Sequence, residues 1–388
     1  MRRDREFSPR GARGTESGRL GQGPAIPSAW RRARMLAKVR LLAPHALDVP
    51  RELLYYDAVQ RVFLVQRCLV AVCRLGIPDL LASGPMSVDE MAARTSSAPS
   101  SLLRVLRVLA TDGVLDDVGE ETFALTSRGS LLVSTEAHST RFRFVDDLAC
   151  RSTIHLAHAV VDGEVPFELE YGRPFWDHLD TCSEDREAYL IRIRQQGELL
   201  YPALIAAYDR WRDATHVVDV GGGDGRFLAM LLGLHSHLTG ALLDRSTAEA
   251  EASPGLLGEL TSRCDIVAGD ARESVPAGGD LYVLARLLDG FTDDDCARIL
   301  GAVRRAALPT ARVLIVELLL EPASSGSEAA FRDLEAFLLH GDAQERTLAI
   351  YRSLLGNAGF DVNRVLPTAT SWTIIEATPR RGANRPLR

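Results

Sequence analysis

The segment VVDVGGGDGRF, residues 217–227, concentrates residue types suited to holding a small polar ligand. A short apolar strand ends at Asp219, and Gly221, Gly223 and Gly225 follow at alternate positions before the helical stretch FLAMLL. Glycine permits a sharp turn and lets a ligand approach the main chain closely. A dinucleotide fingerprint would need another glycine three residues after Gly223, and that position is Arg226. A pyrophosphate is therefore disfavoured, and an acid followed by spaced glycines suits an adenosyl ligand without phosphates. Asp244 closes the next strand, about 20 residues past the loop, where a carboxylate can accept bonds from both ribose hydroxyls. Asp270 ends a third strand, VAGD, within reach of an adenine edge. Each acid alone is an ordinary strand-end residue, but the three in register point to a nucleoside cofactor.

Other reactive residues give weaker signals. Cys68, Cys73, Cys150, Cys182, Cys264 and Cys296 form no CxxC pair and read as thiols in a reducing cytoplasm. His155 and His158 lie three apart on a helical stretch, but no third ligand is evident in their spacing, so no metal is expected.

Alternating apolar strands and helical connectors must position these residues. HVVDV, TGALLD, CDIVAGD, DLYVLARLL and RVLIVELLL repeat a βα unit, which implies an α/β domain with a parallel, doubly wound sheet over 211–379. Upstream, residues 52–81 read as helices, with Val59, Val62, Phe63, Leu69 and Val70 at helical spacing. Ser87 caps a short helix. Pro99 and Ser100 open a second, whose stripe is Leu102, Leu103, Leu106 and Leu109, and which ends at Gly113. DDVGEE then reads as a turn and FALTSRGSLL as a strand, completing a winged-helix pattern within 41–140. Its second helix carries only Arg104 and Arg107, and Asp116, Asp117, Glu120 and Glu121 make the wing tip acidic, which argues against DNA. Residues 141–210 read as a helical linker and substrate lid broken at Gly163, Pro166, Gly172 and Pro174.

With 388 residues, 46% of them hydrophobic, the chain can bury a large core, and its formal charge of −7 opposes a nucleic-acid coat. Lys38 is the single lysine, a bias of GC-rich coding sequence. No apolar run is long enough to cross a membrane, and MRRDREFSPRGARG lacks the apolar core of a secretory signal, so a cytoplasmic protein is expected. Residues 1–40 and 380–388 read as disordered tails, with Met35 a candidate alternative start.

In order and spacing, FALTSRG, YGRPFW, VVDVGGGDG, LLD, VAGD, DDDCARIL, LIVE, ERT and LLGNAGF resemble the bacterial small-molecule O-methyltransferases of polyketide and anthracycline biosynthesis, the carminomycin 4-O-methyltransferase type. They are also similar to the plant caffeic-acid-type enzymes. The likeness covers about residues 55–377. It implies a Rossmann-like class I methyltransferase domain behind an N-terminal, all-α winged-helix dimerisation domain. It also implies a homodimer, S-adenosylmethionine as cofactor, and an aromatic or polyketide-like hydroxyl as acceptor. The cofactor residues it carries over are Gly222 with its neighbours, Asp244, Asp270 and Arg286, with Phe291 standing where the family has a tryptophan.

One departure concerns the base. The family places a His-Asp-Trp triplet after the fourth strand, and this chain has Asp289, Gly290 and Phe291. The flanking glutamates are matched by Glu317 and Glu345. Two substitutes stand open. Asp289 occupies the inherited position, but a nearby sulfonium would lower its pKa. His340, five residues before Glu345, has a reference pKa near 6.5 and is expected to contribute more, with Glu345 orienting it. The alternative to methyl transfer is a methyltransferase-like enzyme that uses the cofactor for hydroxylation, decarboxylation or a pericyclic step. A third reading is a non-catalytic regulator.

Overall fold

Local chemistry sets the first elements of the chain. The computed structural model describes residues 51–134, 145–245, 262–320, 328–341 and 343–380, so the tail expected at 1–40 and nearly all of that at 380–388 fall outside it. The chain divides into two compact units, Met1–Leu64 and Val65–Arg388. In the first, residues 55–64 are helical and expose Tyr55, Tyr56, Val59, Val62, Phe63 and Leu64. They open helix α1, Arg51–Arg74.

In the second unit, Gly76 takes a left-handed φ of 68° and separates α1 from the short helix α2, Ile77–Leu81. Ser87 caps α3, Val88–Thr95, by accepting from the Glu90 amide at 3.3 Å. Helix α4, Pro99–Thr111, buries Leu102, Leu106 and Leu109, whereas Leu103 is only partly buried. The β-wing differs from the sequence expectation. DDVG belongs to strand β2, Leu115–Gly119, and the turn is Glu120–Glu121, both at positive φ. Strand β3, Thr122–Leu125, stops early because Thr126 caps a turn of helix, accepting from the Arg128 and Gly129 amides. A side chain at Gly129 would run into the Val114 carbonyl, which fixes glycine there. With β1, Met86–Ser87, these strands form an antiparallel sheet in the order β1-β3-β2.

The linker is helical as expected, with α5 Val145–Ser152, α6 Leu156–Asp162, α7 Pro166–Tyr171, α8 Phe175–Thr181 and the long α9 Ser183–Ala207. Gly163 and Gly172 end two of them in left-handed caps.

The larger sheet holds β4 His216–Val220, β5 Thr239–Asp244, β6 Cys264–Ala268, β7 Leu281–Ala285 and β8 Arg312–Glu317, all parallel to one another. Two strands absent from the sequence reading complete it. These are β9 Phe360–Pro367 and β10 Thr373–Pro379, with β10 inserted antiparallel between β8 and β9, giving the order β6-β5-β4-β7-β8-β10-β9. The order reverses between β4 and β7, and in open α/β sheets ligands settle at such a switch point beyond the strands' carboxyl ends. Helix α10, Arg226–Leu234, buries Phe227, Leu228, Leu231 and Leu232 on one face of the sheet. Helices α11, Asp293–Ala306, and α13, Leu348–Asn357, pack on the other, and α12, Glu328–His340, lies between them in sequence.

Leu106 is fully buried in the winged-helix core. Replacing it by alanine should cost about 3 kcal/mol, read as a lower urea midpoint of the N-terminal module, because the cavity cannot collapse among its packed neighbours.

Candidate cofactor and acceptor site

The glycine loop is built by the end of β4. Gly221, Gly223 and Gly225 take φ values of 72°, 56° and 75°, which a side chain would strain. A Cβ on Gly222 would run into the Asp219 carboxylate and Leu242, and one on Gly221 would meet Leu287 at 2.5 Å. One on Gly223 would meet no atom within 4 Å, so the loop faces open space there. The Gly223 amide donates to Asp244 Oδ2 at 2.9 Å, tying the loop to the acid at the end of β5. Asp219 is buried, and its Oδ2 has no hydrogen-bond partner among the described residues. Burial first, then the charges of Asp244 and Asp224, push its carboxyl up to about 8.

Asp270 is gripped by a residue that sequence reasoning missed. Arg272 donates from Nε to Asp270 Oδ1 at 3.0 Å and from a terminal nitrogen to Oδ2 at 2.6 Å, and these bonds hold the carboxyl down at about 2. The same guanidinium lies 5.7 Å from the centre of the Phe291 ring. Asp270 and Phe291 are thus brought together through Arg272. Nothing in the sequence distinguishes this arginine from the chain's many others.

After β7 the backbone turns at Arg286, a non-glycine residue with φ of 54°. Its guanidinium donates to Gln196 of α9. Glu317 Oε1, at the end of β8, accepts from the Leu287 and Leu288 amides at 3.0 and 2.9 Å. Arg346, fully buried, donates to the Leu288 carbonyl at 2.7 Å, the Phe291 carbonyl at 2.6 Å and Asp293 at 2.7 Å. The Gln344 amide donates to the Asp289 carbonyl at 2.9 Å. The segment carrying Asp289 is therefore held from both sides, and Leu287 beside it abuts Gly221 of the cofactor loop.

Asp289, Glu317 and Glu345 form a buried acidic group, with Arg286, Arg332 and Arg346 as its counter-charges. Burial raises Asp289, opposed by Arg286. Burial raises Glu317 well above the usual range, and the charges of Asp289 and Glu345 add to it. Glu345 is pushed up to about 8 by burial, then by Asp289 and Asp333, against Arg332 and Arg286. Carboxyls so placed cannot all ionise, and they titrate as one unit. Tyr351 is buried among them, raised by burial and then by the same three acids, and neither its hydroxyl nor Glu345 Oε2 has a partner among the described residues.

His340 ends α12 apart from this group. Its ring stacks on Trp176 at 5.3 Å and meets Phe175 edge-on at 4.6 Å, and no hydrogen bond among the described residues joins it to Glu345. Burial lowers it to about 4. The premise that favoured His340 over Asp289 on reference pKa values is thus reversed. Burial moves the imidazole away from neutrality and the carboxyls towards it.

Comparison with known proteins places this geometry. A family model described as the O-methyltransferase domain matches residues 154–361, and one described as the O-methyltransferase dimerisation domain matches residues 59–135. Mitomycin biosynthesis 6-O-methyltransferase of Streptomyces lavendulae is 34% identical over 320 residues, covering 80% of this chain and 89% of that one. The structure of the mitomycin 7-O-methyltransferase MmcR aligns with a TM-score of 0.77 at 30% identity, covering 90% of this chain and 100% of that one. An O-methyltransferase from neocarzinostatin biosynthesis, solved with S-adenosylmethionine and 2-hydroxy-5-methyl naphthoic acid, aligns with a TM-score of 0.72 at 28% identity, covering 82% of this chain and 96% of that one.

The buried acid below the loop makes a pH prediction. Because its folded-state pKa of about 8 exceeds the unfolded value, Asp219 binds a proton in the native state that the unfolded chain has lost, so its contribution turns unfavourable as pH rises from about 4 to 8. In the ligand-free protein, Asp219→Asn should leave stability nearly unchanged at pH 4 and raise it by about 5 kcal/mol near pH 8, measured by urea unfolding. A constant difference across that range would show that the side chain stays ionised.

Proposed function

The chain belongs to the O-methyltransferase family that carries an N-terminal dimerisation domain, and we propose that it moves a methyl group from S-adenosylmethionine to a hydroxyl of an aromatic natural product, with Asp289 rather than His340 receiving the proton. The observation that carries this reading is the junction at Gly221 and Leu287, where the glycine loop meets the segment bearing the carboxyl group. The loop suits the cofactor. Open space above Gly223 leaves room for the adenosyl group, and the unpartnered Asp219 Oδ2 offers an acceptor beneath it. Asp244 would take the ribose hydroxyls, Asp270 the adenine edge, and Phe291 the adenine face, with Arg286 fixing the turn between the two halves of the site.

When bound, the cofactor supplies an electrophilic methyl on a cationic sulfonium. The chain must hold an acceptor oxygen roughly 3 Å from that carbon, which alone can supply much of the acceleration. As the oxygen forms its new bond, its proton passes to the Asp289 carboxylate. Glu317 holds the Asp289 segment through the Leu287 and Leu288 amides. Burial keeps the Asp289 pKa above its reference value near 3.9, against the charge of Arg286, and so moves it towards neutrality, where a base works best. Asp289 and Glu345 repel when both are ionised, which raises Glu345. An aromatic acceptor fits the rings of Phe175, Trp176 and Tyr189, which meet one another edge-on and close with His340.

We also propose a homodimer. The exposed stripe from Tyr55 to Leu64 and the match to a dimerisation domain support a second copy of this chain as its cover. Light scattering at micromolar concentration should give twice the chain mass of 42.4 kDa. Phe63→Glu should shift the population towards monomer, and a monomeric wild type would refute the assembly.

For the chemistry, Asp289→Asn should lower kcat about 100-fold and His340→Gln less than about fivefold on a hydroxylated aromatic acceptor. In the wild type, kcat should rise with pH as the Asp289 carboxyl ionises, at a pH above the ordinary aspartate range. In Glu345→Gln, that rise should move to lower pH, because a like charge has been removed. A large loss in His340→Gln with an intact Asp289→Asn would reverse the assignment.

A further inference from the structure

Outside the cofactor and acceptor site, the junction of α8 and α9 gathers three unlike donors in one short segment. His178 lies in the last turn of α8, Cys182 between the two helices, and Asp185 in the first turn of α9. Cys182 is extended, with φ of −115° and ψ of 95°, and its amide donates to the His178 carbonyl at 2.9 Å, closing the last turn of α8. One ligand atom from each residue, imidazole nitrogen, thiol sulfur and carboxylate oxygen, lies within 4.8 Å of the others. His178 Nε2 and Asp185 Oδ2 are already 2.7 Å apart. The group is half-buried, and the rings of Tyr171 and Phe167 cover His178 at 4.9 and 5.5 Å.

We propose that His178, Cys182 and Asp185 form a three-ligand site for a zinc-like divalent transition metal. Ligands around tetrahedral zinc stand about 3.5 Å apart, so the three donors need to close by only about an ångström. A nitrogen, sulfur and oxygen set disfavours magnesium and calcium, which take oxygen ligands, and suits zinc or cobalt. On binding, Cys182 releases its thiol proton to solvent, and the metal takes the place of the direct hydrogen bond between His178 and Asp185. The His178 Nε2 proton is lost to solvent, with the imidazole kept neutral through Nδ1–H. Thiolate and carboxylate together balance the double positive charge, and a fourth position stays open to water. Histidine spacing alone did not show this site. His155 and His158, the pair that spacing singled out, instead face Glu170 at 3.0 Å and Glu164 at 2.6 Å. The metal would fasten α8, which also carries Phe175 and Trp176 against His340.

The probe is cobalt(II), added to the chelator-stripped full-length protein. Binding of one equivalent should bring a thiolate-to-cobalt charge-transfer band in the near ultraviolet and strong tetrahedral bands in the visible. Cys182→Ser should lose the charge-transfer band, and both Cys182→Ser and His178→Gln should weaken binding by about tenfold or more while keeping the wild-type circular dichroism. Cys150→Ser, as a control, should bind as the wild type does. A band that survives in Cys182→Ser, or the lack of any stoichiometric band in the wild type, would overturn the site. The readout is spectroscopic, so it is independent of whether the methyl-transfer reading holds.

Discussion

Desolvated carboxyl groups gathered at the carboxyl edge of a parallel sheet are the constraint around which the catalytic half of this protein is arranged. Asp219, the penultimate residue of β4, has no partner among the described residues for one of its oxygens, and Glu317 ends β8 fully buried. Asp289 and Glu345 lie in the segments that follow β7 and α12. An isolated ion in such surroundings is costly, and neighbouring like charges make it more so, so protons stay on. Much of the local structure holds this unfavourable group together. Glu317 accepts from two successive amides, Arg346 spans three backbone or carboxyl oxygens, and the left-handed Arg286 is held by Gln196. A cationic sulfonium is the kind of ligand this arrangement favours.

The change from histidine to aspartate at the inherited base position also alters the course of the charges. A histidine base starts neutral beside the sulfonium and ends as a cation. If Asp289 is the base, as proposed, it would have to act as an anion beside a cation, and both charges would disappear once the methyl and the proton had moved. In a low-dielectric site that annihilation is favoured in the product, while the initial ion pair is stabilised in the ground state. Burial, which raises the Asp289 pKa, would offset the second effect, since it leaves the carboxylate a stronger proton acceptor.

How much of this could be read from the sequence depended on distance along the chain. The glycine loop with Asp219, Asp244 and Asp270 was legible because the spacing is set locally, although only Asp244 is the last residue of its strand: β4 runs on to Val220, and β6 stops at Ala268, two residues before Asp270. Ser87 was legible as a cap for the same reason. The wing was misjudged at Thr126, whose hydroxyl ends the strand through bonds that alternation of residues does not reveal. The strands β9 and β10 were missed because they interrupt the βα repeat with a hairpin. The pKa shifts were illegible for a different reason. Reference values carry no burial, and the groups that shift Asp289 and His340 come from remote segments. Phe175 and Trp176 enclose the imidazole, while Glu317 and Glu345 face the aspartate. Arg272 showed no signal at all, since only the folded chain places its guanidinium on both Asp270 and Phe291.

The most direct test of the proton-storing carboxyl group is a count of the protons released on cofactor binding. Calorimetric titrations near pH 7, repeated in buffers of different ionisation enthalpy, give that count for S-adenosylmethionine and for S-adenosylhomocysteine, which lacks the sulfonium charge. If the buried acids hold protons that a cation displaces, S-adenosylmethionine will release measurably more protons than S-adenosylhomocysteine, and the difference will shrink in Asp289→Asn. Equal release by the two ligands in the wild type would contradict the account, because it would mean that the carboxyl groups beside the methyl are already ionised or that the sulfonium does not reach them.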